Sequence, residues 1–293
     1  MEQQNQAILT TELSEQIVAC TFSKADLQSL CEKLQESSYE AAEEEINHYM
    51  PLDRPPEQIL ADRETLRSGF ELHVAVRGIG DKQVVGTIPV VFNSPRFPEK
   101  VKGLYIDSAI NLKNLYNWSP RNHFELILDF TKPEPFNLSL SPSAPTPNGS
   151  NIFVSGRNET WVNGVYHAVM EFVKNRKTRR RFLHKRGIYD VLVIFIGFPF
   201  AFWITFRLSE WINSLFDGFS VFVRNGAYVF LFLVSLNIFK ALFDYARWTF
   251  PILEYKGATD TARKHRYFLG TLAIAVFGNF LYDLIKSMAA LIQ

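Results

Sequence analysis

The feature that most constrains this chain is a basic cluster that leads directly into a long apolar segment, over residues 174–206. The twenty residues from 187 to 206 contain one acidic side chain, Asp190. An α-helix of ~20 apolar residues is long enough to cross the roughly 30 Å hydrocarbon core of a bilayer. We therefore predict a membrane span here, preceded by a basic neck whose cations are Lys174, Arg176, Lys177, Arg179, Arg180, Arg181, Lys185 and Arg186.

This segment divides a chain whose average composition looks soluble, with 47% hydrophobic and 21% charged residues among 293. Most charges precede residue 187, and long Phe- and Leu-rich runs follow it. We predict a soluble domain over residues 1–173, a juxtamembrane neck over 174–186 and a membrane domain over 187–293. The first residues are polar and acidic, so we expect no secretory signal. Two cysteines are too few for a disulfide framework, which favours a reducing compartment for the soluble domain.

The soluble domain has the patterns of both helices and strands. Ser23 is a predicted N-cap for a long amphipathic helix over residues 24–49, and a second apolar stripe predicts a helix that ends near residue 173. Between them, alternation of apolar and polar residues predicts half-buried strands. The predicted fold is α+β, with an antiparallel or mixed sheet and flanking helices; the predicted strands cover residues 70–77, 84–92, 101–107, 124–130 and 151–155.

No motif in this domain identifies a reaction. The run Glu43, Glu44 and Glu45 is interpreted as a solvated helix face, because consecutive helical positions cannot converge on one ion. The glycine-containing segment 78–82 is predicted to be a hairpin turn rather than a phosphate loop. We expect no metal, no cofactor and no enzymatic activity. The enzyme alternative requires a polar pocket that brings together His73, His123, Asp107 or Asp129.

Three interpretations of the basic neck compete. It is an orientation-fixing anchor that touches anionic headgroups, a specific site for an anionic lipid, or a nucleic-acid patch. The first is favoured and the third is unlikely, because the patch adjoins a membrane span rather than a recognition element. We also predict that one helix continues from the soluble domain through Gly187 into the membrane, which would let a rigid neck transmit a shift.

Three spans are predicted, at about residues 187–206, 222–246 and 267–288, with a kink at Pro199. Polar residues inside membrane helices are candidate functional residues. Here most lie near predicted helix ends, so we expect snorkelling or local pairing, such as Lys240 with Asp244. Interhelical hydrogen bonds are expected for the asparagines. The complete set is Asp190, Asn237, Lys240, Asp244, Asn279, Asp283 and Lys286.

Loop charges predict the orientation. The neck and the second loop are basic, whereas the first loop contains Arg224 alone, with Arg207 at its edge. The positive-inside rule then predicts an integral membrane protein with a cytoplasmic N-terminal domain and its C-terminus on the opposite side. We expect a non-enzymatic sensing or interaction module, with a cytosolic protein or small molecule as partner and with possible homo-oligomers. The alternative is an oligomeric channel or membrane-permeabilising effector gated by the cytosolic domain.

Overall fold

The computed structural model describes residues 9–48, 55–136, 146–185, 187–257 and 261–292, and it divides into two compact units. The first unit contains Met1–Thr131, Asn148–Arg179 and Leu253–Thr259. The second contains Lys132–Pro147, Arg180–Ile252 and Asp260–Gln293. The segment Leu253–Thr259 is therefore grouped with the first unit, although it follows the second predicted span.

The predicted α+β fold of the first unit is confirmed. Six of its described strands form an antiparallel sheet in the order β1-β7-β6-β5-β3-β4. The bounds of the strands are Thr11–Gln16 (β1), Cys20–Ser23 (β2), His73–Gly78 (β3), Gln83–Thr87 (β4), Val101–Asp107 (β5), His123–Asp129 (β6), Asn151–Gly156 (β7) and Leu253–Lys256 (β8). Strands β2 and β8 pair with each other in a separate, parallel sheet. The predicted hairpin between β3 and β4 is present, and Gly80 adopts a φ of 69° in its turn.

The helices of the first unit are Lys24–His48 (α1), Pro56–Gly69 (α2), Ile88–Phe92 (α3), Ile110–Tyr116 (α4) and Glu159–Lys174 (α5). Helix α5 packs on β7 and β1, and α1 packs on α2 and α5. Along β6, Phe124, Leu126 and Leu128 are buried, and the residues between them are half-buried. The Trp161 ring of α5 stacks near Phe124, with centroids 6.4 Å apart. The predicted strand over 84–92 was too long, because Pro89 favours the first turn of a helix and starts α3.

The second unit is helical. Its helices are Arg181–His184 (α6), Ile188–Leu192 (α7), Phe198–Arg207 (α8), Ser209–Leu215 (α9), Val221–Thr249 (α10) and Thr261–Ile292 (α11). One turn of π-helix, Val193–Gly197, joins α7 to α8 immediately before Pro199. Proline lacks an N–H and its ring collides with the carbonyl four residues earlier, so this turn is where the predicted kink is accommodated.

Two helical segments among the described residues are long and apolar enough to cross a membrane, Ile188–Arg207 and Val221–Thr249. Only 11% and 17% of their most apolar windows are buried within the protein. An apolar helix in a soluble core would be mostly covered by protein, so this exposure favours a membrane location.

The prediction of three spans is therefore corrected to two candidate spans. The third predicted segment lies within α11, but its uncharged stretch between Arg266 and Asp283 is shorter than the ~20 residues of a full crossing.

Candidate functional site

The candidate site lies around the short strand β2 in the first unit. We call it the β2 junction, and it consists of β2, β8 and residues 176–178. Cys20 and Phe22 of β2 are almost fully buried. On one side β2 pairs in parallel with β8, with Cys20 opposite Leu253 and Ser23 opposite Lys256. On its other side the neck approaches in an antiparallel bridge between Cys20 and Lys177. A single strand thus holds two segments that are distant in sequence.

Backbone hydrogen bonds fix the neck to this strand. The Thr21 amide donates to the Arg176 carbonyl at 3.3 Å, and the Thr178 amide donates to the Ala19 carbonyl at 2.6 Å. Ala19 itself has a φ of 55°, a left-handed conformation that a residue with a Cβ rarely adopts. Its carbonyl also accepts a hydrogen bond from the Thr178 hydroxyl at 3.1 Å. These hydrogen bonds offset the conformational cost of the left-handed backbone at Ala19. They also hold the neck beside β2 at residues 176–178.

The β2 junction is important because of where its segments lead. The neck continues to α7 and the first candidate span. Strand β8 follows the last residue of α10, the second candidate span, after three residues: Phe250, Pro251 and Ile252. Both chain connections to the candidate spans are therefore hydrogen-bonded to β2.

The predicted continuous helix through the neck is absent. Helix α5 ends at Lys174, α6 has four residues, Lys185 is extended, and Gly187 has a φ of 82°. A left-handed residue cannot continue a right-handed helix, and only glycine adopts this conformation without a steric penalty. The neck consequently consists of short turns. It is not a rigid helix that could transmit a shift from the sheet domain to the first candidate span.

Arg176 has a structural role within the first unit. Its guanidinium contacts the Asp26 carboxylate at 2.7 Å and lies 3.5 Å from the centre of the Phe172 ring. Asp26 also accepts hydrogen bonds from the backbone and side chain of Ser23, so the predicted N-cap of α1 is confirmed as a capping box. Although partial burial raises the pKa of Asp26, the bonds from Ser23 and Arg176 outweigh it and leave this pKa below its usual value.

The other neck cations are mostly exposed. Arg180 is half-buried, with its guanidinium 6.0 Å from the centre of the Phe250 ring. Arg186 lies outside the described residues. Exposed cations beside a membrane span fit the anchor and lipid interpretations equally, so contact with headgroups stays a prediction; the exposed set is Lys174, Lys177, Arg179, Arg181 and Lys185.

Cys20 is a packing residue at this site. Its thiol lies 3.3 Å from the Val18 carbonyl and 3.6 Å from the Val173 carbonyl. Burial raises its pKa to about 11, although Lys177 and Arg176 act in the opposite direction. Burial also raises the pKa of the Cys31 thiol. Because the thiolate is the reactive form, neither cysteine is a candidate nucleophile.

In the second unit, His184 connects α6 to the end of α10. Its Nε2 lies 2.7 Å from the Phe250 carbonyl, and its Nδ1 lies 2.8 Å from the Thr146 hydroxyl. A carbonyl can only accept, so Nε2 carries the proton and Nδ1 accepts from Thr146. Arg247 reinforces the connection by donating to the Leu183 carbonyl at 3.0 Å. Burial lowers the pKa of His184, and nearby Arg247 and Arg180 lower it further.

The charged residues predicted inside the membrane have different surroundings. Lys240 and Asp244 are 3% and 8% exposed. Both side chains are thus buried within the protein, and the predicted pairing of Lys240 with Asp244 stays a prediction. Asp190 and Lys286 are exposed. Asp283 accepts a hydrogen bond from the Trp203 indole at 2.8 Å.

Asp283 also forms an ion pair with Arg207, at 2.9 Å. It therefore contacts two residues of α8.

The two asparagines do not show the predicted interhelical bonds. Asn237 donates to the Leu233 carbonyl at 3.3 Å, and Asn279 donates to the Ala275 carbonyl at 3.0 Å. Each acceptor belongs to the preceding turn of the same helix. These bonds satisfy the amide within its own helix and give the asparagines no assembly role among the described contacts.

Sequence reasoning missed a polar cavity in the first unit. It has a volume of about 780 Å³, and its lining includes His48, Asp62, Trp118, His123 and Arg157. The His123 Nδ1 is buried and has no hydrogen-bond partner among the described residues. Burial lowers the pKa of His123, and Lys113 lowers it further.

Four residues were named for the enzyme alternative, and one of them, His123, is part of the described lining of this cavity. Strand alternation places His73, Asp107 and Asp129 on the same sheet face as His123. These residues are distributed across three strands and do not form one cluster in this cavity. Among the described residues there is also no group of three or more side chains arranged to bind a metal ion.

Of the acidic run of α1, Glu45 lines this cavity. Glu43 is exposed, as predicted, but the interpretation as a solvated face is corrected for Glu44 and Glu45. Glu45 is 6% exposed and accepts the Arg121 backbone amide at 2.5 Å. Glu44 binds the side-chain amides of Asn122 and Asn158. The carboxylates satisfy loop donors far away in sequence, which a helix pattern alone does not reveal.

Comparisons of this chain with protein-family models, curated proteins and solved structures find no match. The function is therefore argued from the geometry of the chain itself.

Proposed function

We propose that this protein is a non-enzymatic, multi-pass membrane protein whose sheet domain senses or binds a cytosolic partner and is coupled to the membrane helices at the β2 junction. The observation that carries the proposal is the hydrogen bonding of β2 to residues 176–178 on one side and to β8 on the other. A displacement of β2 therefore acts on both chain connections together. This replaces the helical neck as the coupling element.

We further propose that the two candidate spans cross the membrane and that the N-terminal domain is cytoplasmic. The exposure of both helical segments supports the crossing, because only 11% and 17% of their most apolar windows are buried within the protein. The basic neck before the first span supports the cytoplasmic side through the positive-inside rule.

Labelling of single introduced cysteines tests this topology. Because Cys20 and Cys31 are buried with raised thiol pKa values, the wild-type chain provides a low background. A membrane-impermeant maleimide added to intact cells should label Asp217→Cys, between the spans. It should label Glu40→Cys and Lys256→Cys only after permeabilisation. Labelling of positions 217 and 256 from the same side would overturn the proposal.

Hydrogen exchange of the full-length protein in lipid nanodiscs tests the coupling. Phe22→Ala, in β2, should accelerate amide exchange in residues 176–178, in β8 and in the last turn of α10. Phe124→Ala is the matched control, since both phenylalanines are 0% exposed and Phe124 lies in β6. The control should accelerate exchange in the large sheet and leave α10 unchanged. Equal exchange of α10 in wild type and Phe22→Ala would contradict coupling through β2.

The second candidate function is an oligomeric pore, and the burial of Lys240 and Asp244 within a candidate span favours it. Buried charges in a membrane helix are typical of ion and proton pathways. A membrane-potential dye distinguishes the candidates in cells that overproduce the full chain. Depolarisation that is lost in Lys240→Met would support the pore, whereas an unchanged potential supports the sensing or interaction role.

A further inference from the structure

An apolar groove lies among the three long helical elements of the second unit. Its volume is about 460 Å³. Every described side chain of its lining is apolar, and the lining includes Leu192, Pro199, Phe239, Ala246, Leu269 and Ala273. A cavity of this size falls within the range of ~300–1,000 Å³ that small-molecule sites occupy.

Contacts on either side of the groove keep it from closing. Near one end, Tyr245 of α10 contacts His265 of α11 at 2.8 Å. Near the other, the Trp203 indole of α8 binds Asp283 of α11 at 2.8 Å. Between these contacts, the small side chain of Ala273 faces the groove. Two polar anchors therefore hold α11 beside its neighbours while leaving apolar volume between them.

The packing of the first span contributes to the same shape. Gly197 ends the π-helical turn, and a Cβ at this position would lie only 3.0 Å from the Phe239 ring. This close approach of the two spans brings Pro199 and Phe239 to one wall of the groove. The groove is consequently part of the helix packing rather than a gap between flexible side chains.

The charges near the groove are distributed unequally. Arg263 and Lys264 are exposed in the first turn of α11, about 8 Å along the helix from Leu269. Arg181 and Lys185 are exposed in the neck that precedes the first span. At the opposite end, Arg207 is neutralised by Asp283. Lys286 is also exposed at this end. Exposed cations are therefore more numerous at the end that has Arg263 and Lys264.

We propose that this groove binds one acyl chain of an anionic phospholipid, whose phosphate is bound by Arg263. The proposal rests on the proposed function, because it requires these helices to lie in a bilayer. Apolar burial accounts for binding of the chain, and Arg263 accounts for preference among headgroups. The lipid would fill the space between α11 and the two spans, and would stabilise their packing.

Native mass spectrometry of the full-length protein in detergent, with phosphatidylglycerol or phosphatidylcholine added, tests the proposal. The wild type should retain phosphatidylglycerol about tenfold better than phosphatidylcholine. Ala273→Trp fills the groove and should reduce retention of phosphatidylglycerol about tenfold. Ala275→Trp is the matched control, because Ala275 is exposed on the same helix and is not part of the lining.

A charge variant keeps the test decisive if Ala273→Trp fails to fold. Arg263→Gln should bind both lipids equally well, whereas Lys264→Gln, on the face of α11 opposite the lining residues, should keep the preference. Equal retention of the two lipids by the wild type, or equal loss in the two tryptophan variants, would overturn the lipid site. Cysteine labelling of positions 217 and 256 in intact cells separates this failure from a failure of the membrane topology.

Discussion

Lowering the pH through the range of histidine titration should destabilise the second unit through His184. Both of its ring nitrogens are engaged when the ring is neutral, one by the Phe250 carbonyl and one by the Thr146 hydroxyl. Burial lowers its pKa, and Arg247 and Arg180 lower it further, so the folded state resists the proton that the unfolded chain accepts near pH 6.5. The stability from this residue is therefore present above about pH 6.5 and is lost as the pH falls towards the lowered pKa.

The size of the effect follows from proton linkage. One proton bound by the unfolded state alone changes the free energy of unfolding by at most about 1.4 kcal/mol per pH unit. For a chain of this size that corresponds to a fall of roughly 3–5 °C in the unfolding midpoint per pH unit. The assay is thermal unfolding of the full-length protein in detergent between about pH 5 and 8.

His184→Gln is the matched variant, because its amide can still donate to the Phe250 carbonyl but does not titrate. Other histidines contribute to the wild-type curve, including His123, whose pKa is also lowered by burial. The difference between wild type and variant isolates His184. The variant should be less stable at pH 7.5, and its curve should be flatter below about pH 6.5. Parallel curves would refute the assignment of a neutral, doubly bonded imidazole.

Three further substitutions test packing. Tyr255→Ala removes a half-buried ring that lies 6.1 Å from that of Phe130, and should accelerate amide exchange in β8 about 30-fold, for a loss of about 2 kcal/mol. Arg176→Gln removes the partner of Asp26 and should cost about 1 kcal/mol at neutral pH, measured by chemical denaturation. Because the pKa of Asp26 lies below its usual value, this difference should vanish as the pH falls through that pKa. Asp283→Ala should lower the unfolding midpoint by several degrees, whereas Asp283→Asn, which keeps an acceptor for the indole of Trp203, should change it little.

Local features of the sheet domain were predictable because their determinants lie within a few residues. Ser23 caps α1 through Asp26, and the Asn158 side chain accepts the Trp161 amide at the start of α5. Alternation along residues 124–130 identified β6 and its buried face. Helix caps and strand periodicity depend on side chains that are close in sequence, so a single sequence is sufficient to predict them.

The β2 junction was not predictable in this way. Strand β8 has four residues and lies in a segment that loop charges assigned to a connection between spans. Its partner Cys20 is near the other end of the sequence. Pairing of strands so far apart leaves no periodic signal in either segment. The prediction of a continuous helix through the neck was wrong for a different reason. Each basic residue of the neck is compatible with a helix, but Gly187 adopts a left-handed conformation that a helix cannot continue through.

The burial of charged side chains was also not predictable from the sequence. Glu45 and Arg121 are 76 positions apart, and their contact depends on how the loop before β6 folds. Lys240 is 3% exposed, and a hydropathy profile of α10 does not predict this burial. A sequence pattern gives the face of a helix on which a residue lies. It does not give the partner that makes burial favourable.

The pairing of β2 with β8 also has a consequence for synthesis. The ribosome produces the six strands of the large sheet and both candidate spans before it produces Leu253–Lys256. The sheet domain emerges first, but β2 cannot acquire its parallel partner until α10 has been translated. Final assembly of the first unit therefore waits for the second candidate span, and a fragment that ends at the neck would expose the edge of β2 to other chains.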